Sequence, residues 1–102
     1  MARFDVCRNL GRGRRFPLLI DVQTPLLADL ETRLVIPLTP LLAGASLRRH
    51  LHLVADVESV RHVLLTELLG SVDRRSLGPV VTSLADRHDE IVGAIDFLLQ
   101  GF

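Results

Sequence analysis

The sequence contains no lysine, tryptophan or tyrosine, and only one cysteine, one methionine and four phenylalanines in 102 residues. With no second cysteine, Cys7 can form neither an intramolecular disulfide nor a cysteine-based zinc site, so a disulfide-stapled secreted fold is excluded and a reducing cytoplasm is expected. No apolar run approaches the roughly 20 residues that cross a bilayer. Arg3, Asp5 and Arg8 interrupt the stretch where a signal peptide would be hydrophobic, so neither a membrane span nor a secretory leader is expected. Net charge is absent too, with 12 basic residues against 12 acidic ones, which disfavours a general attraction to phosphate backbones or anionic lipid.

What is present is enough apolar material to fold: 48% of residues are hydrophobic and 24% charged. The length predicts one domain over residues 1–102, without room for a catalytic unit plus a regulatory one. Small domains with weak self-repulsion often bury further apolar surface in an oligomer, so a homodimer is expected. All 12 basic residues are arginine, and Arg3, Arg8, Arg12, Arg14 and Arg15 cluster against a single acid, Asp5. A nucleic-acid binder built on those arginines would show a steep salt dependence, which the zero net charge argues against.

The segment Phe16–Gln23 is short, apolar and β-rich, with Asp21 and Gln23 polar, and it predicts a strand. The turn-prone GRGRR of residues 11–15 joins it to an earlier segment, Arg3–Arg8, as a hairpin. Thr32–Leu38 is a second predicted strand, in which Pro37 points to a sheet edge, a bulge or a terminus. Residues 47–69 carry both strand and helix periodicities, and the pattern alone leaves the two open. At the C-terminal end, Leu84, Ile91, Ile95, Leu98 and Phe102 form one stripe of an amphipathic helix. Ser83 and Asp86 resemble a capping box, Asp86, Asp89 and Glu90 suit the start of a helix, and Gly101 suits its end.

The chain carries no enzyme signature. Of the four histidines, His50 and His52 would share a strand face, but His62 and His88 lie far off and no metal-ligand spacing accompanies them. Asp86, Asp89 and Glu90 read as helix-start residues rather than paired catalytic carboxylates, the serines lack a nucleophile elbow, and Cys7 reads as a buried strand residue. Gly11 and Gly13 lack the spacing of a phosphate-binding loop. The arginine tip is either a solvated turn or a docking site for an acidic partner.

In order along the chain, IDVQTPLL at Ile20–Leu27, RLVIPL at Arg33–Leu38, HLVADV at His52–Val57, LTELLGSV at Leu65–Val72 and the ending DEIVGAIDFLLQGF resemble the CcdB family of bacterial toxin-antitoxin toxins. The resemblance implies a mostly β fold, an SH3-like antiparallel barrel or sheet with a C-terminal α-helix, paired as a homodimer. It also implies that residues 47–69 form two strands with a turn near Asp56–Ser59. Such toxins act without catalysis or cofactor: they bind the DNA gyrase A subunit, trap the cleaved DNA complex and are released by a CcdA-like antitoxin. The implied target-binding residues are Thr24, Leu26, Leu27, Asp96, Leu99, Gln100, Gly101 and Phe102. The implied antitoxin-binding residues are Leu10, Gly11, Arg12, Gly13, Arg14 and Arg15, with Gly44–Leu47 as a neighbouring segment. The chain departs from the family at Gln100, where the family carries a tryptophan; this opens the alternative of a noncatalytic CcdB-fold binding module with a different or lost target.

Overall fold

The computed structural model describes residues 2–11 and 15–101. Arg12, Gly13 and Arg14 of the expected antitoxin site and Phe102 of the expected target site lie outside the described residues. The elements are β1 (Asp5–Asn9), β2 (Leu18–Asp21), β3 (Thr32–Pro40), β4 (His52–Val57), β5 (Val60–Leu65), β6 (Gly70–Asp73), β7 (Leu77–Ser83) and α1 (His88–Gln100), with short 3₁₀ turns between several of them. The expected mostly β chain with a C-terminal helix is what forms. No described helix is long and apolar enough to cross a membrane.

All strand pairs are antiparallel, in the order β4-β5-β3-β2-β1-β7, with β6 joined to β3. The expected antiparallel pairing of the two segments on either side of residues 11–15 is present, with Val6 opposite Ile20. The ambiguous stretch resolves into β4 and β5, in register from His52 opposite Leu65 to Val57 opposite Val60. Their two-residue turn puts both Glu58 (φ 52°) and Ser59 (φ 64°) in the left-handed region, the backbone that a tight hairpin requires. Glu58 then accepts two hydrogen bonds from Arg8 on β1, at 2.7 and 2.6 Å, tying the β4–β5 tip across the curl of the sheet. Both side chains are about half exposed, so this pair contributes less than about 1 kcal/mol.

Pro37 corrects the sequence expectation, since it lies inside a strand flanked on both sides rather than at an edge or terminus. On one flank it stands opposite Leu19 of β2. On the other, the ladder with β6 stops at Val35 and that with β5 starts at Leu38. A residue without an amide hydrogen is tolerated at that handover. The capping expectation also shifts: Ser83 Oγ accepts from Ala85 N at 3.2 Å at the entry to the 3₁₀ turn Ala85–Arg87, but neither that turn nor α1, which starts after Arg87, has a side-chain cap. The end of the helix is as expected, with Gly101 at φ 80° and its amide bonded to the Phe97 carbonyl at 2.8 Å.

Strand alternation divides the apolar residues between two faces. Val6, Leu18, Ile20, Ile36, Leu38 and Leu64 form the main core with Ile91 of the helix. Cys7, Leu19 and Val35 form a smaller cluster on the other face, flanked by Val72 and Leu77. The helix stripe fades along its length: Ile91 and Ala94 are buried, Ile95 is half-buried and Leu98 is exposed. Arg87 also donates to the Val54 carbonyl at 3.1 Å, so the helix is tied down at its start and stands clear at its end. Ile91→Ala is expected to cost about 2–5 kcal/mol by urea unfolding followed by circular dichroism, against less than about 0.5 for Leu98→Ala. Equal losses would contradict an anchor at one end.

Candidate functional site

The segment after β2 is a 3₁₀ turn, Pro25–Leu27, held by a set of polar side chains from the motifs on either side of it. Asp21, 1% exposed, accepts from the Gln23 amide at 3.0 Å and lies 3.5 Å from the Arg33 guanidinium. Gln23 spans the turn, donating from Nε2 to the Leu27 carbonyl at 3.0 Å and accepting from the Leu34 amide at 3.1 Å. Thr24 Oγ1 accepts from the Leu26 amide at 3.4 Å, and Arg33 donates to the Ala28 carbonyl at 3.2 Å. Apart from the contact between the Asp21 and Arg33 side chains, each of these bonds fixes backbone. Their effect is to hold Leu26, 89% exposed, and Leu27, 46% exposed, out in solvent on an ordered turn.

A second exposed surface is the end of α1. Asp96, Leu99, Gln100 and Gly101 are all exposed, Leu99 at 69%, and the left-handed Gly101 closes the helix. The helix lies against β4 and the 3₁₀ turn Thr66–Leu68, with the Phe97 ring 5.8 Å from that of His50. Among the described residues, no hydrogen bond, ion pair or cavity joins Thr24, Leu26 and Leu27 to the end of the helix. One chain therefore carries the expected target residues as two separate displays.

Two of the expected antitoxin residues, Gly11 and Arg15, line a groove of about 570 Å³ on the smaller core's face of the sheet. Asn9 and Phe16 of the same hairpin line it with them; Leu10 is 51% exposed beside them. Asn9 shapes this end of the hairpin by accepting from the Gly11 amide at 2.9 Å and donating to the Phe16 carbonyl at 2.8 Å. Leu19, Val35, Pro37, Leu68 and Val72 also line the groove, as does the run Gly70–Asp73. Gly44–Leu47 lies in an exposed loop and does not line it.

A model of the CcdB family, described as "CcdB protein", matches residues 3–101. The chain belongs to the CcdB family of toxin-antitoxin toxins. A solved structure described as a crystal structure of an Mtb toxin is similar at a TM-score of 0.71 and 14% identity, over 91% of this chain and 98% of that one. The Mycobacterium tuberculosis toxin MazF-mt6 is similar at 0.74 and 13% identity, over 93% and 95%. At those identities the likeness is one of fold. No curated protein sequence matches.

In this CcdB chain Cys7, the four histidines, Asp89 and Glu90 are each engaged by a neighbouring group. Burial, reinforced by Asp21 and Asp5, pushes the Cys7 thiol up to about 11, so it stays protonated, and Sγ points to the Leu19 carbonyl at 3.5 Å. His50 and His52 do not share a strand face as expected. His50 precedes β4 with φ 68° and packs on Phe97, whereas His52 is in β4 and bonds Glu67 at 2.9 Å. His62 bonds the Val60 carbonyl and His88 stands edge-on to Phe4. Glu90 is bonded to Arg87, which holds its carboxyl below the usual value, and Asp89 pairs with His88. Among the described residues, no three His, Cys, Asp or Glu side chains are grouped to hold a metal ion.

Sequence reasoning missed Asp21, Gln23 and Arg33 as the clamp of the display turn, although a carboxylate inside an apolar four-residue strand was the available signal. It also missed the walls of the groove, which exist only through the pairing of β3 with β6. Burial pushes the Asp21 carboxyl above its usual value, against the opposing pull of the Gln23 amide and Arg33. The folded chain therefore holds that proton to higher pH than the unfolded chain. Its contribution to stability is full below pH 3.8 and is lost as pH rises through the raised value. Relative to Asp21→Asn, the parent should lose stability as pH rises above 3.8 in urea unfolding; parallel pH curves for the two proteins would contradict this.

Proposed function

We propose that this chain is a noncatalytic toxin whose exposed helix end, with the braced Thr24–Leu27 turn, docks as a homodimer on the A subunit of DNA gyrase and traps the cleaved DNA complex. The observation that carries the reading is the pairing of exposure with order. Leu26 and Leu99 are among the most exposed large apolar residues, yet one sits on a hydrogen-bonded turn and the other on a capped helix. Aliphatic groups held rigidly in water are poised to bind with little ordering cost, because their backbone is already in one conformation. Leu30 and Leu34, both partly exposed near that turn, supply apolar surface for pairing with a second copy. A second copy would also bring a second pair of displays into one assembly. A CcdA-like antitoxin with an acidic, disordered tail fits the groove at Gly11 and Arg15 and the arginines of the sequence beside it.

A second reading is favoured by Gln100, which is exposed where the family carries tryptophan. An amide offers no aromatic face to a cation, and a lost cation-π stack with its buried area amounts to about 2–4 kcal/mol of binding. On that reading the chain is a CcdB-fold binding module with another target. Inducing the chain in a gyrase-bearing bacterium separates the two. The first reading predicts growth arrest with trapped gyrase cleavage complexes, suppressed by Leu99→Glu through an affinity loss of about 30-fold or more. Arrest without cleavage complexes rejects gyrase as target. Gyrase binding gained only on Gln100→Trp supports the second reading.

A further inference from the structure

Among the described residues, the sheet has three unpaired strand edges, the outer sides of β4, β7 and β6. An open edge is a template for another chain unless something blunts it. The edge of β4 is blunted by Arg87, whose guanidinium takes up the Val54 carbonyl at 3.1 Å. The edge strand β7 contains Pro79, which has no amide hydrogen to offer, and its register against β1 shifts twice. The four residues of β6 carry neither device. They pair with β3 through Gly70 opposite Val35 to Asp73 opposite Thr32, and the same four residues line the groove of about 570 Å³.

The groove combines an apolar lining with positive charge to spare. Leu19, Val35 and Leu68 line it, and Leu68 is 46% exposed with nothing covering it. Its one carboxylate, Asp73, is already taken by Arg75, which donates from its backbone amide at 2.8 Å and from its side chain at 3.1 and 2.9 Å. Arg15 lines the groove from the hairpin and forms no ion pair among the described residues. The occupant that satisfies all of these features is extended, acidic and aliphatic.

We infer that β6 is the docking edge for a short acidic segment of a partner protein, which adds a strand along Gly70–Asp73, places one aliphatic side chain against Leu68 and Val72, and turns carboxylates toward Arg15. Four residues of strand span roughly 13 Å, so the paired part of the segment is short and its flanks make the charged contacts. The inference rests on the reading of this hairpin as the antitoxin site and specifies how the antitoxin would engage it. It is tested without toxicity, so its failure is separate from the failure of that reading.

The probe is a fluorescein-labelled nonapeptide of alternating glutamate and leucine, titrated with the intact chain by fluorescence anisotropy. Binding is expected, weakened about tenfold by Leu68→Glu and at least about fivefold by Arg15→Glu, both at exposed positions and both with an unchanged thermal melt. Methylating every second backbone nitrogen of the peptide, which removes strand hydrogen bonds and leaves its charges in place, is expected to abolish binding. No binding of the parent peptide overturns the proposal, as does equal binding of the methylated peptide or of a lysine–leucine counterpart. Displacement of the peptide by a ten-nucleotide single-stranded RNA of higher affinity would assign the groove to nucleic acid and overturn it as well.

Discussion

A carboxylate removed from solvent organises the surface on which this protein's proposed activity depends. Asp21 ends β2 at 1% exposure, and burying it is unfavourable unless its oxygens find donors. The Gln23 amide and the Arg33 guanidinium supply them, and both partners are themselves bonded to the turn that follows, at Leu27 and Ala28. The buried carboxyl and its partners therefore settle the path of the chain from β2 to β3. The consequence is a turn whose backbone is satisfied internally, leaving Leu26 and Leu27 unoccupied and pointing into water.

The helix follows the same logic with different chemistry. Ile91 and Ala94 bury its first turns against the main core, and Arg87 ties its start to β4. The last turn carries Leu98, Leu99 and Gln100 away from the sheet, and the left-handed Gly101 closes the carbonyl end without covering it. Both displays combine a rigid base with an exposed aliphatic tip. That arrangement favours recognition of a large, preformed partner surface over enclosure of a small substrate.

Much of this was legible from residues alone. The short apolar runs at Leu18–Asp21 and Thr32–Pro40 and the helix stripe ending at Gly101 announced themselves, because the strands are buried on both faces and the helix on one. The β4–β5 hairpin was not, since its turn is Glu58–Ser59 in place of the Asn-Gly or Asp-Gly that signals positive φ at both positions; the family resemblance supplied it. Nothing in the sequence pattern announced β7, because Gly78 and Pro79 read as breakers. A Cβ at Gly78 would sit 3.0 Å from Arg8 Cβ and Leu10 Cγ, so the glycine allows a close crossing that only the tertiary structure reveals. The target residues Thr24, Leu26 and Leu27 came from the resemblance, and local pattern cannot tell an exposed leucine on a braced turn from one in the core. The groove at Gly11 and Arg15 was half visible, as an arginine-rich tip, while its β3 and β6 walls required long-range register.

The central claim is that two ordered, exposed aliphatic displays form the contact surface for a macromolecular target. Amide chemical-shift mapping of the ¹⁵N-labelled chain against the isolated gyrase A subunit addresses it directly. The account predicts broadening or shifts concentrated at Leu26, Leu27, Asp96, Leu99 and Gln100, with the β7 amides unmoved. Perturbations confined to other surfaces, or a spectrum unchanged at saturating gyrase A, would contradict it.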